Sequence, residues 1–249
     1  MAAPHRIVLL ALLVVLASCG RESRCGPPRP PTPLDHATTG TLSGTVTLEG
    51  APPPMKTISL GGDPQCAAEH AGPVLSGDAL VHDGRVENVF VWVKEGLGDR
   101  TFAVPDAPVI IDQVGCLYQP HVAGAQTCQP IEFVNSDPLL HNVHGLPEHS
   151  PPWNFGMVHG SKRTARVEHP EVMIDIQCDV HPWMRAYLGV LDHPYFAVTG
   201  ADGRFTLAAL PPGDYVIGAW HERFGTRETR VTLGPGEQRA IAFTYVARP

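Results

Sequence analysis

Cys178, His181 and Met184 stand three residues apart in one short segment, Cys178-Asp179-Val180-His181-Pro182-Trp183-Met184. Upstream, with thirty-six residues intervening, lies His141 in the run Leu140-His141-Asn142-Val143-His144. A soft thiolate, two imidazoles and a weak thioether form a donor set that suits copper in electron transfer. Cu(I) favours sulfur and Cu(II) tolerates imidazole nitrogen, so a site fixed between the two preferences needs little rearrangement when an electron arrives. A strand ending at Cys178 would deliver the sulfur, and a tight loop would turn His181 and Met184 back toward the same point. The remaining imidazole must then come from a neighbouring strand, which is where His141 would sit.

Plainer readings of the same residues exist. Cys178 could be half of a disulfide, and Met184 taken alone is an ordinary core residue. The placing of a His and a Met at threes after the Cys weighs against both. His144, His149, His159, His169 and His193 read as surface or loop histidines. Cys66 with His70, and Cys116 with His121, supply metal-binding atoms, but neither spacing fits a zinc pattern. A Cys66–Cys116 disulfide is the expected use of those thiols. Trp220-His221-Glu222 has no nucleophile at useful spacing and reads as strand-end chemistry. No Gly-rich phosphate loop, Ser-His-Asp order or basic aromatic patch is present.

The frame for such a site must be built from strands. With 25 Gly and 26 Pro, the chain is punctuated every eight to twelve residues. Between the breaks lie short runs rich in Val, Ile, Thr and aromatics: 42–48, 88–94, 109–113, 131–135, 172–177, 187–191, 204–207, 215–220, 229–233 and 240–246. Several alternate with period two, as half-buried strands do. No window longer than ten residues carries a helical stripe. Short strands at regular spacing predict an all-β sandwich or barrel.

Two resemblances sharpen this. The His141 run and the short loop from Cys178 to Arg185 resemble amicyanin, a small cupredoxin, more than plastocyanin or azurin. The resemblance implies that His141, Cys178, His181 and Met184 bind one copper ion and that His144 does not. It implies that Asn142 ties the two ligand loops together near the thiolate, with Pro182 supporting the loop. It also implies that electrons leave through an exposed His181 ring, with a weakly apolar docking patch around Pro182 and Trp183. Leu140 stands where the family has Pro, Asp179-Val180 where it has Thr-Pro, and Trp183 where it has Phe; these departures bear on the potential and colour of the site. Separately, Gly40–Pro54 and Phe196–Tyr245 resemble the carboxypeptidase regulatory-like, transthyretin-type sandwich, with hairpin turns at Asp202-Gly203 and Pro212-Gly213. Neither piece has enough strands alone. The expected architecture is therefore a cupredoxin-like Greek-key β-sandwich, residues 103–194, nested in a second, discontinuous transthyretin-like β-sandwich, residues 41–102 and 195–249.

The ends of the chain say where it would work. Arg6 and the apolar run from Ile7 to Ala17 form a secretory signal over residues 1–18, too short to span a bilayer. Leu16-Ala17-Ser18-Cys19 resembles a bacterial lipobox, which implies a lipid on Cys19 and an anchored protein of the periplasm or cell envelope. Gly20 after that Cys favours the outer membrane. Residues 19–40, rich in Pro, Arg, Ser and Thr, read as a semi-rigid tether. Exported thiols tend to pair. With Cys19 lipidated and Cys178 on the metal, Cys66–Cys116 is the expected bond, and Cys25 and Cys128 stay unassigned. The chain carries 18 Lys+Arg against 25 Asp+Glu, and this mildly acidic balance argues against nucleic acid as a partner.

These readings converge on a blue-type mononuclear copper protein passing single electrons between transient redox partners. Copper storage or delivery would use the same ligands without reversible redox. A third possibility makes the outer sandwich an adhesion or carbohydrate-binding module, on fold analogy alone. An enzyme is not expected, because four protein ligands leave no open position for substrate.

Overall fold

The computed structural model describes residues 25–26 and 30–247. The signal segment, Cys19 and its expected lipid lie outside them. The protein is all-β. Among the described residues, eighteen strands run in chain order as β1 (Gly40–Glu49), β2 (Val81–His82), β3 (Arg85–Val86), β4 (Phe90–Glu95), β5 (Val109–Val114), β6 (Leu117–Gln119), β7 (Val122–Gln126), β8 (Ile131–Asn135), β9 (His141–Leu146), β10 (Trp153–Met157), β11 (Lys162–Ala165), β12 (Glu171–Gln177), β13 (Arg185–Leu191), β14 (Phe196–Val198), β15 (Arg204–Leu210), β16 (Gly213–His221), β17 (Gly225–Leu233) and β18 (Gln238–Val246). A five-residue helix, α1 (Pro64–Ala68), follows a 3-10 turn at Leu60–Gly62.

The strands form four sheets. β10-β9-β12-β13-β7 and β11-β8-β5-β6 enclose one core, which includes Ile111, Phe133, Val143, Ile174, Ile176 and Leu188. β15-β1-β3-β2, with β18 parallel to β1, and β14-β4-β16-β17 enclose another, around Leu42, Val46, Val91, Phe205, Ile217 and Tyr245. Strand periodicity explains who faces in. In β9, residues 141, 143 and 145 are buried and their neighbours are half-exposed or exposed. In β12, Ile174 and Ile176 are buried, so the next residue of that parity, Cys178, also points to the core.

A third cluster joins the two halves: Phe90 and Trp92 of β4 pack against Val122 and Leu191, with Tyr187, Phe196 and Trp220 beside them. β4 is thus buried on both faces. Gly124 and Gly189, register partners on β7 and β13, make this approach possible. A Cβ would come within 2.4 Å of the Phe196 ring at Gly124 and of the Phe90 ring at Gly189.

Two features depart from the sequence reading. The Pro-rich stretch is not a free spacer along its whole length. Cys25 is bonded to Cys128, and the Thr32 N–H donates to the Thr101 carbonyl at 2.9 Å. Between β1 and β2 the chain also leaves its own sheet. Its residues Ile58, Leu60, Cys66 and Val74 pack on the core of the β5–β13 sandwich. This excursion closes on itself through a bridge between Thr57 and Leu75.

Candidate metal centre

Cys178, His141 and His181 come together. Each offers a ligand atom, and the three atoms lie within 4.8 Å of one another in the buried interior. His141 opens β9 and Cys178 follows β12. These strands are antiparallel neighbours, with His144 opposite Gln177. His181 is set by the turn between β12 and β13. Two backbone bonds close that turn, Met184 N–H to the His181 carbonyl at 2.9 Å and Cys178 N–H to the Met184 carbonyl at 3.2 Å. Met184, fully buried, sits in the same core cluster as Cys178. Pro182 at the tip of the turn is exposed.

The thiol of Cys178 is free. The backbone N–H groups of Asn142 and His181 both donate to its sulfur at 3.4 Å. The Asn142 side chain links the two ligand segments: its Oδ1 accepts from the Asp179 N–H at 3.1 Å, and its Nδ2 donates to Asn154 Oδ1 at 2.6 Å. Tyr118 braces the same place, donating to the Asn142 carbonyl at 2.5 Å, and burial pushes its phenol far above the ordinary value.

Each imidazole is held from behind by a carboxylate. His141 Nε2 lies 2.7 Å from Asp137 Oδ2, and His181 Nε2 lies 3.1 Å from Asp63 Oδ2. A carboxylate only accepts, so each Nε2 carries the proton. Asp137 is itself fixed by the N–H groups of Gly115 and Cys116, at 2.6 and 2.8 Å. Its loop is held by Asn135, whose amide donates to the carbonyls of Leu139 and Met157. Burial holds the His141 ring below its ordinary pKa, in the neutral form that binds metals. The hydrogen bond from His181 lowers the Asp63 carboxyl in turn.

With both Nε2 protons committed, a neutral ring has only a lone pair at Nδ1. The two Nδ1 atoms face each other at 2.9 Å, and Cys178 Sγ lies 3.8 Å from that of His181. Two lone pairs and a sulfur aimed at one buried point fit a soft or borderline cation, and the N,N,S set fits copper.

His181 corrects one expectation. Its ring is not exposed: the side chain is 3% accessible, covered by the excursion that carries Asp63. Trp183 beside it is half-buried, 5.1 Å away between ring centroids, and donates its indole N–H to the Cys116 carbonyl at 3.1 Å.

Among solved structures, the neighbours of this fold are cupredoxins. A Cu-containing nitrite reductase (NirK) from Thermus scotoductus is 23% identical over 39% of this chain and 25% of its own, with a TM-score of 0.33. A purple cupredoxin from Nitrosopumilus maritimus is 19% identical over 34% of this chain and 99% of its own, TM-score 0.29. A point variant of amicyanin in its reduced state is 18% identical over 40% of this chain and 97% of its own, TM-score 0.31. This chain thus spans a quarter of the nitrite reductase chain. These are partial likenesses of fold. No family model and no curated protein sequence matches the chain.

The other sequence candidates fall as follows. Cys66 and Cys116 are bonded to each other, S–S 2.03 Å, so although near the imidazoles they carry no thiolate. His70 and His121 do not meet. His70 Nε2 bonds the Gly115 carbonyl at 2.7 Å, while His121 pairs with Glu222. That pairing gives Glu222 a partner in the other sandwich, beyond the strand-end role read from sequence. His144 belongs to a strand and bonds Asp179 at 2.9 Å. Sequence reasoning missed Asp63 and Asp137. Asp137 stands four residues before His141, and Asp63 precedes Pro64 in a helix-start pattern; neither signal names its imidazole.

Proposed function

We propose that this protein is a copper-binding one-electron carrier of the cell envelope, with His141, Cys178, His181 and Met184 as the ligands. The observation that carries this reading is the meeting of two buried Nδ1 atoms, 2.9 Å apart, beside a free buried thiol. Copper bound there would supply reversible exchange of one electron between Cu(I) and Cu(II).

The rest is work for the chain. Asp137 and Asp63 keep each ring in the tautomer that turns Nδ1 inward. The N–H groups of Asn142 and His181 aim at the sulfur and would share the charge of a copper-bound thiolate. Close packing by Ile174, Ile176 and Met184 excludes water and resists movement of the donors. Because His181 is covered, contact with a redox partner falls to the half-buried Trp183 and exposed Pro182, in a small transient interface. A lipid on Cys19 would hold the carrier at a membrane surface, the outer membrane being favoured.

Titration of the purified mature protein with copper tests the reading. One equivalent should bind and give an intense visible thiolate-to-copper band, and cyclic voltammetry should show a reversible wave. Cys178→Ser should lose the band while keeping the far-UV spectrum. A band that survives in the Ser variant, or wild-type protein that takes up no copper, overturns the copper site. Copper binding without a reversible wave ends the carrier reading and leaves storage or delivery.

A further inference from the structure

His181 and its carboxylate partner come from parts of the chain 118 residues apart, and chain order alone would not bring the second of these to the β5–β13 sandwich. The excursion from 57 to 75 starts and finishes in a different sheet pair, yet it packs onto the ligand loop. Several ties hold it closed. The Ile58 N–H donates to the Val74 carbonyl and the Ser76 N–H to the Lys56 carbonyl, both at 2.8 Å. Leu60 is buried in the core below. A compact surface loop with closed ends and its own packing is the kind of segment that serves a site.

We propose that this excursion is a built-in cap of the metal centre, in which Asp63 is the positioning residue for His181 and the Cys66–Cys116 bond keeps Asp63 in place. The proposal rests on the reading of His181 as a metal ligand.

Three observations carry it. First, the orientation of the Asp63 carboxylate does not depend on His181. Asp63 caps α1, and its Oδ1 accepts from the N–H groups of Gln65 and Cys66 at 2.9 and 3.3 Å, which leaves Oδ2 for the ring. An ordinary surface ion pair has no such second anchor and is weak for that reason. Second, Cys66 in the same helix is bonded to Cys116, and the Cys116 N–H donates to Asp137, the carboxylate behind His141. Both imidazole-holding carboxylates therefore hang on one covalent link. The ligand loop reaches the same link, through Trp183 to the Cys116 carbonyl. Third, the cap removes His181 from solvent, so the ring cannot swing outward without displacing α1.

A capped imidazole has three consequences. Its tautomer is fixed before any metal arrives. It is shielded from exchange with small ligands in solution. The negative charge beside it favours the more highly charged metal state.

The test compares wild-type protein with Asp63→Ala and Asp63→Asn. In apo protein, nitrogen NMR of His181 should show the Nε2-protonated tautomer in wild type and a mixture in Asp63→Ala. In copper-loaded protein, Asp63→Ala should bind copper roughly 10-fold to 100-fold more weakly, admit added azide with a changed spectrum, and show a raised reduction potential. Asp63→Asn can still accept from Nε2 but carries no charge. It should keep most of the affinity and the tautomer while the potential rises. Equal tautomers, affinities and potentials in all three proteins overturn the proposal while leaving the copper site standing. A wild type without a thiolate-to-copper band instead brings down the functional reading, and the apo spectra then still report whether Asp63 orders the ring.

Discussion

In the sandwich of β1–β4 and β14–β18, buried polar groups end on the backbone. Tyr215 donates to the Pro211 carbonyl at 2.6 Å, Tyr245 to that of Ala219 at 2.9 Å, and Thr199 to that of Val86 at 2.8 Å. Each donor has its acceptor, and the core closes on itself. The sandwich of β5–β13 buries a thiol and two rings whose inward nitrogens face each other at 2.9 Å, with the sulfur 3.8 Å from one of them. Two neutral rings with their outer nitrogens protonated turn lone pair toward lone pair, so such an arrangement persists only where the surrounding frame is fixed by other means. Both described disulfides end in that second sandwich, at Cys116 and Cys128. One half of the molecule satisfies these buried groups within its own core. The other turns two acceptor nitrogens toward each other in a frame tied by disulfides.

That contrast can be broken by experiment. Phe205→Ala removes a buried ring from the self-satisfied core, where it packs near Phe243. It should cost roughly 3–5 kcal/mol in denaturant unfolding, with the visible band of the copper-loaded native protein unchanged. A changed band would mean the two halves are not separable in this way. Replacing Cys66 and Cys116 together by Ser should cost roughly 2–4 kcal/mol and, unlike the first change, should disturb the copper spectrum. An undisturbed spectrum would show that the bond serves stability alone.

Acid should act on the outer half through a buried ring. Burial pushes His221, in the outer core, down to about 4 from the ordinary 6.5. Its Nδ1 accepts from the Arg223 N–H at 3.1 Å, a bond that protonation there would remove. As pH falls below 6.5, the unfolded chain takes up a proton that the folded chain refuses, so stability drops until pH reaches about 4 and then levels off. The loss assigned to this residue is on the order of 3 kcal/mol. It is read as the difference in urea midpoints between wild type and His221→Gln across that window, and parallel pH curves would refute it. The smallest effect is expected from Trp183→Phe. This deletes the indole bond to Cys116 and should cost about 1 kcal/mol, with a small shift of the copper band. No shift would place Trp183 outside the centre.

The legibility of the fold followed the strength of its local signals. Runs such as 131–135 and 240–246 stand inside β8 and β18 because their alternation is plain. β9 was harder to see. It opens on His141 and carries Asn142, His144 and Gly145, so its polar composition hides a strand whose inward face is filled by a candidate ligand. β7 was hidden by its small residues, Ala123, Gly124 and Ala125, which are there to admit aromatic rings from the other half.

The candidate site divides along the same line. Residue types, the three-residue spacing after Cys178 and strand parity are properties of short stretches of chain, and they were sufficient to bring Cys178, His141 and His181 to attention. The covering of His181, its carboxylate and the link from Cys66 through Cys116 to Asp137 join segments that are distant in sequence. Only packing decides those contacts, because a carboxylate 118 residues away leaves no periodic or local trace of the ring it will meet.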